Sequence, residues 1–136
     1  MNKVRHIALS TKDPDKTAAF YKEAFGFSEV SRIGPEHPAV GELHGWYLTD
    51  ETLNIAVIDF GDQDQLGRGV DYVGLHHFGI LCEDAGATTE ALGHLGSSRL
   101  DHEPSQTATY ETKFVGPDGV VFDIAEMPWP GTPPLT

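Results

Sequence analysis

Four polar residues recur at matching places in this chain of 136 residues. His6 opens the apolar run Ile7-Ala8-Leu9, and His77 opens Phe78-Gly79-Ile80, 71 positions on (6 to 77). Asn54 sits in Leu53-Asn54-Ile55-Ala56, and Asp123 in Phe122-Asp123-Ile124-Ala125, 69 positions on (54 to 123). Side chains alternate between the two faces of a strand, so His6 shares a face with Ala8 and Ser10, away from Ile7 and Leu9. By the same alternation His77, Asn54 and Asp123 lie on the face opposite the apolar residues that a helix would cover. Two imidazoles and a carboxylate brought together are groups that hold a divalent metal, and softness alone does not choose among iron(II), manganese(II), zinc(II) and nickel(II). His76 alternates to the other face and reads as structural. Cys82 is the single cysteine, which excludes an intrachain disulfide and a cysteine-built zinc site.

The near-constant offset implies a duplicated unit of about 65–70 residues, longer than solenoid repeats. Each copy reads as βαβββ. Asp13-Pro14 is a helix N-cap followed by proline at the first helical position, and Gly26 is a stop signal. Strands are predicted at Val4–Thr11, Phe27–Ile33, Gly41–Leu48 and Leu53–Phe60. In the second copy they are predicted at Val73–Cys82, 99–102, 110–115 and Val120–Met127, with a helix capped by Asp84 and stopped by Gly96. Gly116-Pro117-Asp118-Gly119 has the composition of a tight turn. The fold class expected is α+β: one domain of two tandem βαβββ modules (about 3–60 and 73–127) forming a curved mixed sheet. Residues 61–72 form the linker, and the Pro-rich tail 128–136 reads as a peripheral extension.

These segments resemble the vicinal oxygen chelate superfamily, which includes glyoxalase I, methylmalonyl-CoA epimerase, extradiol dioxygenases and bleomycin-resistance proteins. The carriers are Arg5-His6-Ile7-Ala8-Leu9, Phe20-Tyr21-Lys22-Glu23-Ala24-Phe25-Gly26-Phe27, Gly74-Leu75-His76-His77-Phe78-Gly79-Ile80 and Gly116-Pro117-Asp118-Gly119-Val120-Val121-Phe122-Asp123. The resemblance implies metal ligands from the first and last strands of each module, at the positions His6, Asn54, His77 and Asp123. Asn54 stands where glyoxalase I and the epimerase carry a longer Glu or Gln, so it is expected as a pocket hydrogen-bonder. The metal set is then His6, His77 and Asp123, as in the extradiol enzymes, with iron(II) favoured. Lys113 stands where those enzymes carry a tyrosine, and Tyr110 is three residues away. His44 and Trp46 are further candidates for the pocket lining.

The implied function is a metal-dependent enzyme acting on a small substrate with vicinal oxygens, of dioxygenase type or else a lyase or isomerase. The alternative is a metal-free ligand-binding protein of the bleomycin-resistance type. A net charge of −12 with nine scattered Lys and Arg argues against nucleic-acid and anionic-membrane partners. The N-terminus lacks a signal-peptide layout, so a cytoplasmic location is expected. A homodimer is expected from the resemblance.

Overall fold

A computed structural model describes residues 1–100 and 111–136; the expected strand positions 101, 102 and 110, including His102 and Tyr110, lie outside the described residues. The first module runs β1 (Lys3–Ser10), α1 (Pro14–Phe25), β2 (Ser28–Ile33), β3 (His44–Thr49) and β4 (Asn54–Asp59). The second repeats it as β5 (Gly74–Leu81), α2 (Ala85–His94), β6 (Ser98–Arg99), β7 (Thr112–Val115) and β8 (Val121–Ala125). Local chemistry sets the helix limits. Asp13 accepts from the Lys16 amide at 3.1 Å with Pro14 beginning α1, and Gly26 ends it at φ +74° while donating to Lys22 O. Asp84 caps α2 by accepting from the Ala87 amide at 2.9 Å. Strand β3 begins three residues later than the sequence suggests, because Gly41 adopts a φ of +87° that no strand permits.

All the described strands join one curved sheet in the order β2-β3-β4-β1-β5-β8-β7-β6. Within each module the first strand pairs in parallel with the last: β1 with β4, where His6 faces Asn54, and β5 with β8, where Gly79 faces Asp123. The modules join through the antiparallel pair β1–β5, in which His6 faces Gly79 and Ala8 faces His77. Both halves of the candidate site therefore belong to one continuous ladder of a single chain.

The helices cover one face. Ala18 of α1 packs with Leu48, Ile55 and Val57, joined by Leu9, Tyr21 and Phe27. Leu92 and Ala85 flank Cys82, Phe114, Phe122 and Ile124. The opposite face carries Ala8, Ile33, Tyr47, Ala56 and Ile58 in the first module. Over the second module the C-terminal tail supplies the cover, which corrects its reading as a peripheral extension. Trp129 is 1% exposed and packs with Leu81, Ala125 and the returning Leu135. None of the described helices is long and apolar enough to cross a membrane.

Gly79 makes this packing possible. A β-carbon there would lie 2.8 Å from the Trp129 ring and 2.9 Å from His6 Cβ. Gly79→Ala is expected to destabilise the protein by about 1–3 kcal/mol through overpacking, read from urea unfolding. An unchanged midpoint would show that the tail does not press on β5.

Candidate metal centre

His6, His77 and Asp123 each direct one donor atom into a common space, all three atoms within 4.8 Å of one another. His6 Nε2 lies 3.2 Å from His77 Nε2, and His77 Nε2 lies 3.0 Å from Asp123 Oδ2. Donors about 2.0–2.2 Å from one ion stand roughly 3 Å apart when adjacent, so these separations fit a shared divalent metal. Asp123 is fully buried, yet among the described residues its Oδ2 has no partner in hydrogen-bond geometry. A buried carboxylate oxygen is normally satisfied, and this one is aimed at the two imidazoles, as a ligand atom would be. By donor chemistry and spacing, the three residues fit a divalent metal.

Asn54 is not turned to the same point. Its Oδ1 lies 2.7 Å from His6 Nδ1, and its Nδ2 donates to Pro130 O at 2.9 Å. A carbonyl oxygen only accepts, so His6 carries its proton on Nδ1 and presents the Nε2 lone pair. Asn54 therefore holds His6 rather than an ion.

His76 departs from simple alternation. The β1–β5 register shifts between Ala8 and Leu9, leaving His76 as the extra residue of a bulge. Its ring stacks on Phe60 at 4.2 Å, and its Nδ1 meets His77 Nδ1 at 2.7 Å. With His6 Nε2 an acceptor, His77 donates from Nε2 and accepts at Nδ1 from His76. Ligation through His77 Nε2 requires the reversed tautomer, with His77 Nδ1 donating to His76.

The charges are arranged around Asp123. Lys113 is its direct partner across the β7–β8 hairpin, and the ammonium reaches Oδ1 at 2.5 Å. Burial alone would raise the Asp123 pKa, but the His77 imidazole, 3.0 Å from Oδ2, and the Lys113 ammonium hold it well below the usual carboxylate range. Oδ1 thus faces a fixed cation and Oδ2 faces the imidazoles. Burial, reinforced by His77, pushes His6 down to about 3, and burial likewise takes His76 to about 3 and lowers His77. Neutral imidazoles are the form that ligates. Glu111, two residues before Lys113 in the chain, adjoins Asp123 and accepts from the Trp129 indole at 2.8 Å. Burial and then the Asp123 charge raise its pKa to about 7.

The structure places two of the expected pocket residues elsewhere. Trp46 pairs with Val57 on the helix-covered face, donates to Asp15 Oδ1 at 2.7 Å and lies under the Arg32 guanidinium. His44 shares that face and donates from Nδ1 to Glu42 O. On β3 the residues that share the Asn54 face are Gly45, Tyr47 and Thr49, as the pairing Thr49–Asn54 dictates. Glu111 and Trp129 adjoin this cluster and are not singled out by the sequence pattern. Counting back from the turn at Gly116–Gly119 could have found Glu111, whereas Trp129, between two prolines, carries no periodic signal. A cavity of about 520 Å³ borders the site at His76 and His77, with Leu75, Phe78, Val120 and Val121 among its walls.

The class defined by this architecture is the paired βαβββ fold with a site between its modules. A family model, the Glyoxalase/Bleomycin resistance protein/Dioxygenase superfamily, matches residues 3–124, and the chain belongs to that family. A curated relative, the uncharacterized protein YwkD of Bacillus subtilis (strain 168), is 25% identical over 135 residues, covering 93% of this chain and 98% of its own length. Among solved structures, a point variant of Streptomyces coelicolor methylmalonyl-CoA epimerase in complex with 2-nitronate-propionyl-CoA aligns with a TM-score of 0.68 at 19% identity, covering 90% of this chain and 94% of that one. The hypothetical protein BH1468 from Bacillus halodurans C-125 aligns at 0.70 and 17%, covering 94% and 96%. The epimerase from Mycobacterium tuberculosis aligns at 0.67 and 14%, covering 93% and 88%. These likenesses show the fold.

Two outcomes follow from the electrostatics of the metal-free protein. Because the folded pKa values of His6 and His76 lie below the unfolded value of about 6.5, the unfolded chain gains protons first as pH falls. Their contribution is intact above about pH 6.5 and is lost between there and about pH 3. Urea unfolding at pH 7 and pH 5 is expected to show this loss, with a smaller slope in His76→Phe. An equal slope would contradict a neutral, buried His76. Lys113→Met leaves Asp123 without its fixed cation and is expected to cost about 3–5 kcal/mol at pH 7, much of it recovered in Lys113→Met/Asp123→Asn. Strictly additive losses would show that the pair is not coupled.

Proposed function

We propose that this chain is a divalent-metal-dependent enzyme of the vicinal oxygen chelate type that moves a proton on a small substrate bearing two neighbouring oxygens. One observation carries the reading: two neutral imidazoles and a buried carboxylate converge on one space, with a protonatable carboxyl, Glu111, alongside. His6, His77 and Asp123 would hold the ion. A bound divalent metal supplies Lewis-acid stabilisation of negative charge on substrate oxygens. The protein's own residues do the rest. In the metal-free protein burial and the Asp123 charge raise Glu111 to about 7, and a carboxyl placed beside the ion can accept and return a proton as a general acid–base group. The Trp129 indole donates to one of its oxygens and so orients the carboxyl beside Asp123. Lys113 neutralises Oδ1 of Asp123, so that carboxylate stays ionised and does not compete with Glu111 for the proton. The likeness in fold to solved structures named as epimerases supports proton transfer.

A second reading rests on Asn54. Because it bonds to His6, the site offers two histidines and one carboxylate, the set that leaves positions open for substrate and O₂ on iron(II). That reading is a ring-cleaving dioxygenase.

The test begins with metal analysis of protein purified without affinity tag or added metal. Near-stoichiometric metal is expected, and its loss in His77→Ala. Solvent deuterium exchange at carbons next to a carbonyl, followed by NMR over a panel of 2-oxo acids, 2-hydroxy ketones and branched acyl thioesters, should then identify a substrate. Glu111→Gln is expected to slow that exchange by about 10²-fold or more while keeping the metal. Exchange that ignores Glu111→Gln would overturn the proton-transfer reading, and oxygen uptake with catechols would establish the second. No metal under any condition would leave a binding protein.

A further inference from the structure

The tail beyond β8 makes a series of contacts that reach from one module to the other. The Trp129 ring stacks flat on His6, centroids 5.0 Å apart and planes 3° from parallel, and its indole N–H is held by Glu111. The next residue, Pro130, offers its carbonyl to Asn54 Nδ2. Gly131 then lies against β2 and β3: its carbonyl is 2.9 Å from Thr49 Oγ1, and a β-carbon on it would come within 2.8 Å of Val30 and 2.9 Å of Thr49. Thr132 returns both its amide and its hydroxyl to Trp129 O, which closes the turn.

These contacts act on one degree of freedom. An amide side chain can present either its oxygen or its nitrogen to His6, and the two choices have opposite consequences. Oxygen towards Nδ1 places the imidazole proton there and leaves Nε2 open. Nitrogen towards Nδ1 would demand a lone pair at Nδ1 and put the proton on Nε2, where it blocks ligation. Pro130 O can only accept, so it takes the Asn54 NH₂ and turns the Asn54 oxygen towards His6. Trp129 meanwhile packs parallel against the His6 ring and restrains its rotation.

We propose that residues 128–132 are a strap that sets the tautomer of His6 through Asn54, making the C-terminal segment a working part of the metal centre. The inference rests on the metal-centre reading, but the tautomer is testable without metal. The strap residues touch no ion or substrate in this account; they are positioning residues.

The test pairs two readouts on the full chain. Long-range ¹H–¹⁵N correlation spectra of metal-free, ¹⁵N-histidine-labelled protein report the tautomer of His6, and cobalt(II) titration reports affinity. Wild type is expected to hold His6 protonated at Nδ1 and to bind one cobalt(II). Asn54→Leu, which keeps the volume and removes the acceptor, is expected to populate the Nε2-protonated form and weaken cobalt(II) binding by about 10–100-fold. Gly131→Val, which displaces the strap while leaving His6 and Asn54 intact, is expected to shift both readouts in the same direction by roughly tenfold in affinity. It keeps the test open should Asn54→Leu fail to fold.

Wild-type His6 protonated at Nε2 would overturn the proposal. So would a strap variant that displaces Trp129 yet leaves tautomer and affinity unchanged; the metal centre would survive that result. If wild type binds no cobalt(II), the metal reading falls, and the tautomer shift in the two variants still decides the strap.

Discussion

Strands β1 and β5 run antiparallel through the middle of the sheet, and their ladder determines where every other group of the site must stand. With Ala8 opposite His77 and His6 opposite Gly79, the two imidazoles start two rungs apart on one face and meet at Nε2. The parallel partners β4 and β8 then bring Asn54 and Asp123 to the same face from outside. A slip of one residue in the central pair would send one imidazole to the helix-covered side. The bulge at His76 adds a second imidazole behind His77 rather than moving His77 away.

Around this ladder the main electrostatic problem is a carboxylate with no access to water. Asp123 is divided between two neighbours: Lys113 satisfies Oδ1, and Oδ2 is left to the imidazoles. Removing a partner from a buried charge is more damaging than never burying it, so the hairpin pairing of Lys113 with Asp123 sustains the buried carboxylate. The same burial that strains Asp123 keeps His6 and His76 neutral and lifts Glu111 towards neutrality. Burial in one low-dielectric pocket thus shifts the imidazoles and the Glu111 carboxyl together around the Lys113–Asp123 pair.

Much of this arrangement is legible in residues with short-range signals. Asp13-Pro14 and Gly26 bound α1, and alternation around His6, His77, Asn54 and Asp123 puts all four on one face. Legibility ends where position depends on a neighbour in space. Nothing in the β3 segment alone says which way Trp46 turns, and only the Thr49–Asn54 register directs it towards α1. His76 breaks alternation because of a bulge, which a single strand's pattern does not reveal. Trp129 lies in a proline-rich stretch with no period, and its burial comes from the gap left by Gly79 on a distant strand.

The central claim is that one chain gathers His6, His77 and Asp123 around an ion. Anomalous diffraction at the cobalt edge, from crystals grown with cobalt(II) and no chelator, addresses it directly. A single strong peak is expected about 2.0–2.2 Å from His6 Nε2, His77 Nε2 and an Asp123 oxygen of the same chain, with Asn54 still bonded to His6. A peak at any other cluster, or none with these donors in place, would contradict it.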